Sequence, residues 1–148
     1  MHLVDAVDYD PYGGNGEHPL DTRKAIDGDA VSTWSTEQYS NGNLAKRGVG
    51  IYVDAGSQVR ARRIDIRTPT PGFLVQIYGS KIPETTAAGP NASSFSDWGR
   101  PLAQVTVTRR KKVYLKQDGG PFRYYLVWIY RLSPGQNHAE VSTVRLYQ

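Results

Sequence analysis

A chain of 148 residues with 39% hydrophobic residues, 22% charged residues and a formal charge of +4 has the profile of one ordinary folded domain. With no cysteine, a disulfide scaffold, a thiol nucleophile and a thiolate zinc site are excluded. The longest apolar stretch, residues 124–130, falls well short of the roughly 20 residues of a membrane helix, and Met1–Asp5 does not open a signal peptide, so neither a span nor an export signal is expected.

Fifteen glycines, nine prolines and ten tyrosines beside a single methionine point to many turns and β-rich packing. The charge is lopsided. Residues 1–40 hold eight acids and two bases, while the remainder holds six acids and sixteen bases. The acids, Asp5, Asp8, Asp10, Glu17, Asp21, Asp27, Asp29 and Glu37, are the hard oxygen donors a cation needs, or else solvated loop carboxylates.

In chain order, the one helical signal is Asp21–Ile26, where Asp21 or Thr22 caps a turn that Gly28 ends. Val49–Val53 reads as a strand, with Ala55-Gly56-Ser57 as a turn after it. Val59 and Ala61 then alternate with Arg60 and Arg62, but Ile64 and Ile66 continue on even positions, which predicts a β-bulge near Arg62-Arg63. Residues 73–78 are apolar on both faces and read as a central strand. Gly79–Pro101 is the longest interval without periodicity. Val105–Thr108 and Val113–Leu115 flank the basic tetrad Arg109-Arg110-Lys111-Lys112, which is expected at a solvated hairpin tip. Phe122–Arg131 is the most apolar strand and Val141–Tyr147 closes the chain. About eight antiparallel strands with one short helix near residues 21–26 make an all-β sandwich or jelly roll of one domain over 1–148, the first eight residues being an expected linker remnant.

The segment Ala25-Ile26-Asp27-Gly28-Asp29-Ala30-Val31-Ser32-Thr33-Trp34 resembles the corresponding stretch of discoidin-like domains, the coagulation factor 5/8 type C or galactose-binding-like family. Gly50–Gly56, Val59 with Ile64-Asp65-Ile66, Val75–Ser80, Arg123–Ile129 and Ser142–Tyr147 resemble the family's later motifs in the same order, so the likeness covers about residues 20–147. A narrower resemblance, carried by Val4–Gly13, Gly48–Gly56 and Phe122–Ile129, is to the extracytoplasmic C-terminal domains of actinobacterial membrane serine/threonine protein kinases and MviN-type flippases. It implies an extracytoplasmic domain of a membrane-anchored parent. The chain itself lacks the phosphate loop and catalytic motifs of a kinase.

The resemblance implies a structural calcium ion near the helix turn, with Asp27 giving a carboxylate, Lys24 and Asp29 mainly carbonyls, Ser32 a hydroxyl, and Thr143 at the position of the family's closing Glu. The alternative for Asp27-Gly28-Asp29 is a tight turn closed by its own side chains. It also implies ligand binding by loops at one end of the sandwich, and the residues of that type are Tyr39, Asn41, Trp98 and Arg100, beside Tyr12 and Asn43. Trp98 has packing onto the sheet as its other role, and Trp34 and Trp128 are expected in the core. No catalytic residue is expected, because His2, His18 and His138 have no flanking signature. The reading is a non-catalytic sensor or binding module for a cell-wall glycan or a protein partner, monomeric as an isolated domain, without nucleic acid. Its alternatives are a purely structural interaction domain and, third, a glycoside-active enzyme.

Overall fold

Antiparallel pairing organises the computed structural model, which describes residues 1–13, 16–39, 43–44, 46–81 and 98–148. Among these residues lie ten strands: β1 (Asp5–Tyr9), β2 (Trp34–Ser35), β3 (Val49–Val59), β4 (Arg63–Arg67), β5 (Leu74–Ser80), β6 (Ala103–Thr106), β7 (Arg110–Tyr114), β8 (Phe122–Arg131), β9 (Glu140–Val141) and β10 (Thr143–Tyr147). A five-stranded sheet runs β1-β3-β8-β5-β6, a three-stranded sheet runs β10-β4-β7, and β2 pairs with β9. The helical signal is a 3₁₀ helix, Pro19–Ala25. The molecule is therefore the expected all-β sandwich.

β8 explains why its sequence is apolar throughout. Tyr125, Val127 and Ile129 face the core between the sheets, together with Val49, Ile51, Val53, Val75, Ile77, Ile64, Ile66, Val144, Leu146 and Trp34. Tyr124, Leu126 and Trp128 point the other way and join Tyr9, Tyr52, Tyr78 and Trp98 in a second cluster on the outer face of the same sheet. A strand covered on both faces loses the period-two polarity of a half-buried one.

Three expectations differ from the structure. The parity break near Arg62-Arg63 is not a bulge within one strand: Arg60–Arg62 carry the chain from β3 in one sheet to β4 in the other, and the irregular pairing lies earlier, between Asp54 and Val59. A change of sheet inverts which parity faces the core just as an extra residue does. The first eight residues are not a linker remnant, because β1 pairs with β3 over five rungs and buries Leu3 and Ala6. The basic tetrad is not a hairpin tip either: β6 and β7 belong to different sheets, and Arg110, Lys111 and Lys112 form part of an edge strand beside β4. Most of the Gly79–Pro101 interval, residues 82–97, lies outside the described residues.

Candidate functional site

At the end of the sandwich where β8 finishes, an open groove of about 800 Å³ is lined by Asn43, Leu44, Lys46, Gly72, Leu74, Thr106, Tyr130, Arg131, Leu132 and Pro134. Tyr130 and Arg131 are the last residues of β8, where the apolar run gives way to the first charge. The Asn43–Lys46 segment supplies the opposite polar side chains. The lining thus combines an amide, a guanidinium and an ammonium with Tyr130, whose ring is partly buried against the outer aromatic cluster, so the groove can donate hydrogen bonds to a polar ligand.

The groove wall rests on a buried polar network. Lys46 Nζ lies 2.9 Å from Asp10 Oδ1 and 3.3 Å from Glu17 Oε1, and 5.2 Å above the Tyr39 ring. Glu17 is fully buried. Its Oε1 accepts the Tyr39 hydroxyl and its Oε2 accepts the Glu37 N–H at 2.7 Å. Its own N–H donates to Asp8 Oδ2 at 2.9 Å, while its carbonyl accepts the Trp34 indole N–H at 2.7 Å. Burial pushes the Glu17 carboxyl above the usual glutamate range, against the Glu37 N–H and Lys46, which favour its ionised form.

Of the residues expected to bind ligand, Trp98 and Arg100 line one cavity and Tyr39 lies apart from them. Tyr39 packs against the inter-sheet core and spends its hydroxyl on Glu17, standing behind Lys46 rather than offering an open ring. Asn41 lies outside the described residues. Trp98 is 2% exposed, with the rings of Tyr9 and Tyr52 each 5.7 Å away, so it takes the packing role on the outer face of the five-stranded sheet. Arg100 is exposed and shares with Trp98, Lys81, Leu102, Lys116 and Phe122 a separate cavity of about 540 Å³. Tyr130 and Arg131, on the groove lining, sit at a strand end, which carries no loop signature; the first charge after a long apolar run is the sequence signal there.

Around the expected cation position, one turn brings Asp27, Asp29 and Ser32 together. Asp27 Oδ1 accepts the Asp29 N–H at 2.9 Å and Oδ2 accepts the Ser32 hydroxyl at 2.5 Å. The Ser32 hydroxyl first, and then the Asp29 N–H, hold the Asp27 carboxyl below the usual aspartate range. Asp29 Oδ1 accepts the Val31 N–H at 2.9 Å. The Lys24 ammonium is turned to Asp21, 2.9 Å away. Buried Thr143 borders a cavity of about 270 Å³ with Ile26 and Gly28, and supplies no charge. Glu140 is engaged elsewhere, accepting from Thr33 Oγ1 at 2.7 Å and lying 3.1 Å from His138 Nε2. Calcium takes six to eight oxygen ligands and draws its affinity from carboxylates. In this turn the Asp27 and Asp29 carboxylates both accept hydrogen bonds from their own neighbours, and Thr143 adds no third carboxylate.

No protein-family model matches the chain, and no curated protein does. Solved structures match its fold. Chitosan-binding module 1 from a chitosanase/glucanase of Paenibacillus sp. IK-5 superposes with a TM-score of 0.65 at 14% identity, covering 100% of this chain and 96% of that one. The family 32 carbohydrate-binding module of Clostridium perfringens NanJ, in complex with galactose, gives 0.59 at 17% identity and coverages of 99% and 94%. A Ruminococcus gnavus GH29 fucosidase gives 0.59 at 11% identity, and this chain, 86% covered, spans 22% of that enzyme's length. The chain thus has the sandwich fold of discoidin-like and carbohydrate-binding modules.

Proposed function

We propose that the chain is a non-catalytic glycan-recognition module whose site is the groove at the end of β8, with Tyr130 as the ring face and Asn43, Lys46 and Arg131 as the polar contacts. The observation that carries this reading is that Asn43, Lys46, Tyr130 and Arg131 all line one open groove of about 800 Å³, with Lys46 held in place by Glu17 and Asp10. The likeness to chitosan- and galactose-binding modules supports the ligand class. The parent would be a membrane-anchored actinobacterial protein that presents the module outside the cytoplasm, and the ligand a cell-wall glycan.

The test is pull-down on purified actinobacterial cell wall and titration with its soluble fragments. Tyr130→Ala and Arg131→Ala are each expected to weaken binding about tenfold, in the range of one lost stacking or charged contact, and Arg131→Ala to keep a melting midpoint close to wild type. Wild-type affinity in both variants would move the site elsewhere.

The Asp27 turn, in the same reading, is closed by its own hydrogen bonds and not by calcium. Melting midpoints in millimolar calcium and in chelator are expected to coincide. A ligand specific for the folded state must raise the midpoint, so an upward shift with calcium would restore the cation.

A further inference from the structure

The outer face of the three-stranded sheet carries a charge pattern that the groove does not use. Register places Thr143, Arg67 and Arg110 on one rung, Arg145, Asp65 and Lys112 on the next, and Tyr147, Arg63 and Tyr114 on the third. The intervening residues Ile64, Ile66, Val113, Val144 and Leu146 are buried in the core, Lys111 being the half-exposed exception, so the rung residues lie on the other face, where Thr143 alone is covered. One face thus holds five cations and a single acid, Asp65, whose carboxylate is bound by Arg63 at 2.7 Å. Arg63 also covers the Tyr147 ring at 4.0 Å, while Tyr114 stays 71% exposed. Arg109, just before β7, is exposed and adds to the same edge. Gly28, between Asp27 and Asp29, lines a cavity with Thr143 and Arg145 at the β10 border.

Charge on an edge strand discourages sheet-to-sheet pairing, and that accounts for Lys111 and Lys112 on β7. It does not account for Arg67, which lies on β4 between the two edge strands β10 and β7. Like charges on neighbouring rungs repel unless an anion lies between them. Arg67 and Arg110 share a rung with no acid on it, and Arg145 and Lys112 flank an Asp65 already held by Arg63.

We infer that this face is a second binding surface, for a carboxylate-bearing polysaccharide. Four of its five cations are arginines, whose planar forks match a carboxylate with two parallel hydrogen bonds. The face is flat, about 10 Å across three strands and about 14 Å along five residues, which suits a few residues of an extended chain lying over the strands. Tyr114 at one end offers an open ring to a sugar. A membrane would need apolar anchors on the same face, and Tyr114 is the one large exposed ring there. A nucleic-acid strand would need several stacking rings in series. The surface is separate from the groove, so it stands whether or not the groove binds glycan.

The test uses the whole chain with polygalacturonate as probe and neutral dextran as control, by affinity electrophoresis and titration at several salt concentrations. Wild-type protein is expected to bind polygalacturonate and not dextran. The combined variant Arg67→Gln, Arg110→Gln, Lys112→Gln is expected to lose at least about tenfold in affinity and to flatten the salt dependence by roughly two to three ionic contacts. Its melting midpoint should match wild type, and Arg131→Ala in the groove should leave polygalacturonate binding intact. Three outcomes overturn the proposal: polygalacturonate binding absent at 0.15 M salt, binding unchanged in the folded triple variant, or binding of dextran sulfate, duplex DNA or phosphatidylserine vesicles at least as tightly, which would mean a non-selective positive field.

Discussion

A Glu17→Ala variant is expected to lose about 3–5 kcal/mol of stability at neutral pH, a fall of roughly 10 °C in melting midpoint. The carboxylate is fully buried and receives the Tyr39 hydroxyl, the Glu37 N–H and the Lys46 ammonium. Truncation strands the first two donors and leaves Lys46 to Asp10 alone. Burial is the largest influence on Glu17 and raises its pKa, so the folded state disfavours the ionised form relative to the unfolded chain. The stability it contributes is therefore complete below the ordinary glutamate pKa and declines as pH rises through the elevated folded value. The stability difference between wild type and Glu17→Ala should accordingly widen as pH falls from 7 toward about 4.5. Chemical denaturation of both proteins across that range measures it. A difference that narrows toward acid would mean that Lys46 outweighs burial.

Trp98→Ala is expected to cost about 3 kcal/mol or more, in the range of a buried aromatic replaced by alanine. Trp98 closes the outer aromatic cluster, with Tyr9 and Tyr52 rings at 5.7 Å. Under conditions where the variant remains folded, its affinity for cell-wall fragments should equal that of wild type. Lost affinity at unchanged stability would return Trp98 to the role of a ligand contact.

Much of the fold was legible because burial on one face writes period two into the sequence: Ile64 and Ile66 in β4, and Val75 and Ile77 in β5, alternate as the sheet requires. β1 was hidden by its acids. Asp5 and Asp8 flank buried Ala6 and Tyr9, and a five-residue edge strand of that composition reads as a tail. The switch of sheets at Arg60–Arg62 could not be told from a bulge, since both shift parity by one. The Asp27 turn was readable because its contacts are local, each bond spanning two to five residues. The groove and the basic face were not, because each joins residues far apart in the chain. Arg67 meets Arg110 and Thr143 only through pairing between strands, and Lys46 reaches Asp10 across 36 residues. Residue types were visible at each position, while the partners were set by topology.

Met1, His2 and Leu3 share a small cavity with Tyr147, so the first and last residues lie close together. In mechanical terms, an attachment at either end can load the sandwich along the strand axes. The first strand is then dragged lengthwise past β3, and the last past β4, each joined by five residue pairs in register. Hydrogen bonds that lie across the direction of pull share the load and break together, whereas a peeled strand loses them one at a time. A pull along the strand axes from either end therefore meets five in-register residue pairs at once.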